Sequence, residues 1–159
     1  MTQVRLSVPA SAANLGPGFD CLGLALALRN TLEVRPAASG IRVQVEGEGQ
    51  HSLPSDASNL IVRALLKVYR LADQPAPALE LRAHNRIPLA AGLGSSAAAI
   101  VSGLAAANAL TGLALSPARL LQLAADMEWH ADNAAAAIFG GLTLVPAFSH
   151  VADTPAGPV

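Results

Sequence analysis

Aromatic residues are scarce in this sequence: three phenylalanines, one tyrosine and one tryptophan, 3% of 159 residues. That is too few to stack successive bases, which excludes the aromatic platforms of single-strand nucleic-acid binders. Charge is scarce as well, at 13%, and it nearly cancels to a net −1. No overall field draws nucleic acid or an anionic membrane. The lone cysteine, Cys21, excludes an internal disulfide and fits a reducing cytoplasm. It reads as a small core residue before it reads as a nucleophile. Acidic residues are missing from Leu81 to Ala125, and charge of either sign from Ile87 to Ala118. A bilayer span takes about 20 apolar residues, so length alone permits one here. Pro88, Gly92, Gly94, Ser95, Ser96, Ser102, Asn108 and Thr111 interrupt the stretch, and the alanines between them give little drive for insertion. A buried helix is the better reading. The first apolar run, Leu22 to Leu28, follows Asp20 with no basic segment close before it, so no secretory signal is read.

What is present is hydrophobic residue, 52% of the chain. That excludes disorder and suits one domain with a real core. Val4 to Val8 alternate and stop at Pro9, a strand pattern, and Ala10 to Asp20 read as a loop of small residues. Cys21 to Pro36 predict a long buried strand, with Ile41 to Gly47 hairpinned to it. After the turn at Ser52 to Asn59, a helix places Leu60, Ile61, Ala64, Leu65, Val68 and Leu71 on one face. Leu79 to Ala83 are a short strand and Ser96 to Leu110 a helix. Ser116 caps another helix that begins at Pro117, and Gly140 to Pro146 hold a last strand. The elements mix without a regular alternation, so the expected class is α+β. Residues 1–146 are expected to form the domain and 147–159 a loose tail.

The stretch IPLAAGLGSSAAAI, residues 87 to 100, carries the chemistry. Backbone N–H groups at a helix N-terminus are unpaired and the helix dipole is positive there. Glycines let a phosphate approach them, so no side-chain cation is required. A Walker lysine is absent. Gly92, Gly94 and Ala97 fit the dinucleotide fingerprint, but that site needs an acidic residue about 20 positions on, and none occurs. Alone, the segment reads equally well as a tight turn before a close-packed helix.

Two further blocks surround it. Val8 to Leu26 read VPASAANLGPGFDCLGLAL, and Glu128 to Leu142 read EWHADNAAAAIFGGL. With Pro88, Gly92, Leu93, Gly94, Ser95, Ser96, Ala97 and Ala98 in the central block, this ordered set resembles the GHMP kinases, and the homoserine kinases among them in particular. The resemblance implies a ribosomal protein S5 domain 2-like α+β fold, the N-terminal domain of a GHMP kinase. It implies ATP-dependent phosphorylation of the L-homoserine hydroxyl, on the threonine pathway, with ATP and Mg²⁺. By the same resemblance the phosphates fall to Pro88 and Gly92 to Ala97, the adenine contact to Asn59, and Mg²⁺ to Ser96 and Glu128. Asn14 would orient the substrate hydroxyl and Asp20 pair with its ammonium. His130, Asp132 and Asn133 would line the same pocket. Relatives that use a base place an aspartate near Asn133, and an amide is no base at neutral pH. Positioning and charge stabilisation are therefore expected to carry the transfer, with Asp132 as the fallback base. The expected partner is the small molecule, without nucleic acid or membrane, and the resemblance allows a homodimer.

Trp129 and Ala131 stand where the resemblance leads one to expect glycine and proline. The indole would either crowd the pocket or point outward. The family also has a C-terminal domain carrying arginines for the substrate carboxylate, and nothing here matches it. The chain is thus expected to be the N-terminal half. The competing expectations are a mevalonate-type kinase, a non-catalytic nucleotide-binding fragment and, last, an alanine-rich structural or membrane protein.

Overall fold

The computed structural model describes residues 3–145. The tail expected over 147–159 lies outside the described residues. The described chain runs β1 (Val4–Leu15), β2 (Gly18–Pro36), β3 (Ile41–Gly47), α1 (Leu60–Leu71), β4 (Leu79–Asn85), α2 (Ser95–Thr111), α3 (Pro117–Glu128), α4 (Asp132–Phe139) and β5 (Leu142–Leu144). One sheet has the order β1-β2-β4-β3, with β5 added to β2. This is the expected α+β class. No helix among the described residues is long and apolar enough to cross a membrane.

β2 organises the sheet because it is long enough to serve several partners. Its C-terminal third pairs antiparallel with β4, from Thr31–His84 to Pro36–Leu79. Its N-terminal third takes β5, through Leu22–Leu144 and Leu24–Leu142. Period-two alternation then sorts its side chains. Leu32 and Val34 point into the core, while Glu33 faces out, 3.4 Å from Arg5 and 3.9 Å from Arg35. Arg82 on β4 likewise lies 3.7 Å from Glu46 on β3. Against the inner face pack Val62, Leu65 and Val68 of α1 with Ile100 and Leu104 of α2.

Four expectations are corrected. Ala10 to Asp20 are not a loop: β1 runs through Pro9 to Leu15 and forms a hairpin with β2, with register shifts between Pro9 and Ser11 and between Ala13 and Leu15. Proline removes a donor, and the shift at that point absorbs the loss without ending the strand. β3 is not hairpinned to β2. It pairs parallel with β4, Ile41 opposite Leu79, because α1 lies between the two strands and a helical crossover returns the chain in the same direction. Leu71 is exposed, and Val62 and Tyr69 join the buried face of α1 instead. Cys21 is half-buried, not a core residue. The separate helix α4 was not anticipated.

Two details place the functional segment. Gly103 lets α2 approach α1 so closely that a Cβ there would strike the Ile61 carbonyl oxygen. Buried Asn30 on β2 accepts from the N–H groups of Arg86 (2.8 Å) and Ile87 (3.0 Å), fixing the chain where it leaves β4 for the glycine turn.

Candidate phosphate-binding site

α2 begins at Gly94, whose φ of +65° is a left-handed conformation that costs glycine little. No side chain caps this helix. Serines 95 and 96 and Ala97 therefore hold first-turn N–H groups, with the positive end of a 17-residue helix behind them. They open onto a cavity of about 450 Å³ lined by Pro88, Ala90 to Ala97, Met127, Glu128, His130 and Asn133. No lysine or arginine is among the described residues of that lining. An anion there would meet backbone donors.

The opposite wall comes from the junction of α3 and α4. Ser116 caps α3 by accepting from the Arg119 N–H, with Pro117 at the first helical position, as anticipated. The helix delivers Glu128 in its last turn. That is the negative end of the dipole, an unfavourable place for a carboxylate. Burial pushes the Glu128 carboxyl above its ordinary range; a hydrogen bond from Ser96 and the nearby His130 pull it back, and Asp132 adds to the rise. Glu128 Oε2 is buried and has no hydrogen-bond partner among the described residues. An orphaned carboxylate oxygen beside a serine hydroxyl is a fitting donor set for a small hard cation. Among the described residues no group of three or more His, Cys, Asp or Glu gathers to hold a metal. A magnesium ion here would draw the rest of its ligands from phosphate and water.

Trp129 follows at φ +68° as the C-cap of α3, 83% exposed. It points outward and is not in the cavity lining, which decides between the two orientations considered above. His130 Nδ1 lies 3.1 Å from Asp132 Oδ1. Asp132 itself is 1% exposed and absent from the lining; its Oδ1 also accepts from the Asn133 N–H (2.7 Å). Ala131 is buried as the residue preceding α4.

Gly92 to Ala97, Pro88, Glu128, His130 and Asn133 are thus brought to one cavity. Asn14 and Asp20 are not in its lining. They sit exposed near the tip of the β1–β2 hairpin, both at positive φ, and Asn14 Oδ1 accepts from the Asp20 N–H at 2.9 Å. Asn59 caps α1: its Oδ1 accepts from Ile61 N (3.0 Å) and its Nδ2 donates to the Pro54 carbonyl (2.7 Å). It lines a second, more apolar cavity of about 480 Å³, with Leu53, Pro54 and Leu89, that shares Ser95 and Ser96 with the first.

Sequence reasoning passed over Ser11 and Met127. Ser11 is wholly buried, and its hydroxyl donates to Asn133 Oδ1 at 2.9 Å across 122 residues of sequence. Only its place among the small residues of the first block marked it, and no local pattern could have paired it with Asn133.

Residues 59–141 match the GHMP kinases N-terminal domain. The chain is 53% identical over 138 residues to the homoserine kinase of Corynebacterium diphtheriae, an alignment covering 87% of this chain and 45% of that protein. The crystal structure of the homoserine kinase from Cytophaga hutchinsonii superposes with a TM-score of 0.80 at 31% identity, over 91% of this chain and 49% of that one. The mevalonate kinase of Methanococcus jannaschii shares the fold, with a TM-score of 0.73 at 14% identity, over 89% of this chain and 52% of that one. The chain spans about half the length of the curated relatives it matches.

Proposed function

The chain belongs to the GHMP kinases, and from that premise we propose that it is the nucleotide-binding half of a homoserine kinase, transferring the γ-phosphoryl group of ATP to the L-homoserine hydroxyl. The observation that carries the reading is the meeting of two features in one cavity. The uncapped N-terminus of α2 supplies donors for phosphate, and Glu128 presents a buried oxygen without a partner among the described residues. The high identity to named homoserine kinases favours homoserine over mevalonate as the acceptor.

The phosphates rest on the N–H groups of residues 92 to 96. The adjoining apolar cavity receives the base, with Asn59 contributing its wall while its Oδ1 caps α1 and its Nδ2 donates to the Pro54 carbonyl. Ser96 and Glu128 would hold Mg²⁺, which neutralises charge on the phosphates when bound. Asn14 and Asp20 approach the homoserine hydroxyl and ammonium from the hairpin tip. His130 lines the pocket with its ring held by Asp132. The substrate oxygen bonds to the γ-phosphorus as the bond from phosphorus to the bridging oxygen breaks. ADP leaves, and the hydroxyl proton passes to a phosphoryl oxygen. Such a loose transition state asks for alignment and charge stabilisation more than for a base. The burial of Asp132 outside the cavity lining agrees with that, and loss of turnover in Asp132→Asn with binding intact would argue for Asp132 as base.

The test is ADP release by the 159-residue chain with Mg-ATP and L-homoserine, beside a mevalonate control. Turnover on homoserine alone supports the full reading. Nucleotide binding without turnover leaves a binding half, and no nucleotide binding at all overturns the proposal.

A further inference from the structure

We infer that Ser11 is a positioning residue: its buried hydroxyl fixes the orientation of the Asn133 side-chain amide, so that Nδ2 is presented to the phosphate cavity as a donor. The inference rests on the reading of that cavity given above.

Ser11 is fully buried on β1 and donates from Oγ to Asn133 Oδ1 at 2.9 Å. A buried hydroxyl needs an acceptor for its proton. In the reverse orientation the –NH₂ would donate to Ser11 Oγ, and the buried hydroxyl proton would lose the acceptor that Oδ1 supplies. The serine therefore selects one of the two amide orientations. With Oδ1 committed, the remaining polar atom of Asn133 is Nδ2, and Asn133 lines the cavity opposite the α2 N-terminus.

Two contacts hold the device rigid. The Ser11 N–H donates to the Leu93 carbonyl at 3.1 Å, tying β1 to the glycine turn itself. Gly94 leaves the space that the pair occupies, since a Cβ there would strike Ser11 Oγ and lie 3.0 Å from Asn133 Oδ1. The turn that binds phosphate and the amide that faces it are thus set by one side chain. In a cavity whose described lining holds no lysine or arginine, one oriented amide donor is a meaningful share of the anion contacts.

A double-mutant cycle separates positioning from mere structure. The affinity of a non-hydrolysable ATP analogue with Mg²⁺ is measured by calorimetry for the chain, Ser11→Ala, Asn133→Ala and the double variant. Each single variant is expected to bind about tenfold more weakly, the scale of one hydrogen bond to a charged group. The double variant is expected to lose no more than Asn133→Ala alone. Equal further loss from Ser11→Ala in both backgrounds would show a structural role and overturn the inference.

The free chain gives a second readout that does not need the nucleotide. In its amide NMR spectrum the Asn133 NH₂ pair should show no strong contact to the Ser11 β-protons, and Ser11→Ala should shift that pair. A strong contact would mean that the amide faces the other way and would also overturn the inference. If the chain binds no analogue, the proposed function fails with the donor role, while the NMR result still decides whether Ser11 holds the amide.

Discussion

Trp129 sits at φ +68°, where an L side chain crowds its own carbonyl at a cost of about 1–2 kcal/mol. Glycine escapes that cost but gives back roughly 0.5–1 kcal/mol in chain entropy. Trp129→Gly should relieve that strain, and since the indole is outside the cavity it should leave nucleotide affinity unchanged. Glu128 poses the opposite problem, a charge kept where the fold disfavours it. Its carboxyl is raised by burial. In the window just above the ordinary glutamate range the folded chain still holds a proton that the unfolded chain has released. Stability must then fall as pH rises through that window. Glu128→Gln should raise the melting midpoint at neutral pH and flatten this slope, while removing the stabilisation given by Mg²⁺ with nucleotide. A variant that melts lower, with its Mg²⁺ response intact, would dissociate the orphaned oxygen from metal binding.

At the scale of elements, propensity and packing disagree in α2, and the size of each decides the sign. Helix propensity alone says that Gly103→Ala should gain about 1 kcal/mol. The added Cβ strikes the Ile61 carbonyl oxygen of α1, and overpacking of this kind costs roughly 1–3 kcal/mol. A net loss of stability is expected, read as a lower denaturation midpoint. Much of this architecture is legible locally. The helices α1 and α3 follow from apolar spacing and from Asn59 and Ser116 as caps, and β2 and β4 from their own residues. The β1–β2 hairpin was hidden because small residues and glycines look like loop when a register shift, not a turn, explains the proline. The partner of β3 was hidden because pairing is non-local: sequence neighbours β2 and β3 are separated in the sheet by β4. The site shows the same division. The glycine turn, Glu128, His130 and Asn133 stand in recognisable runs, whereas Ser11 acquires meaning only through a contact made across the whole fold.

Across the whole molecule, the placement of positive charge separates the two ligands. Arg5 and Arg35 pair with Glu33, Arg82 with Glu46, and Arg29 bonds to Ser7, all on the sheet and away from the phosphate cavity. On the proposed reading phosphate can still bind, because helix N–H groups would supply the donors. The carboxylate of an amino-acid substrate finds no such partner in the described lining, and the roles proposed for Asn14 and Asp20 at the hairpin tip cover only the hydroxyl and the ammonium. The chain by itself should thus respond unequally to its ligands. Ligand at about a hundred times its dissociation constant stabilises by about 2.7 kcal/mol, which for a domain of this size moves the melting midpoint by several degrees. The Mg²⁺-bound ATP analogue should produce such a shift. Millimolar L-homoserine alone should produce almost none, and its effect should stay small when added with the nucleotide. A homoserine shift as large as the nucleotide's would mean that this half of the family's length already holds a complete acceptor site.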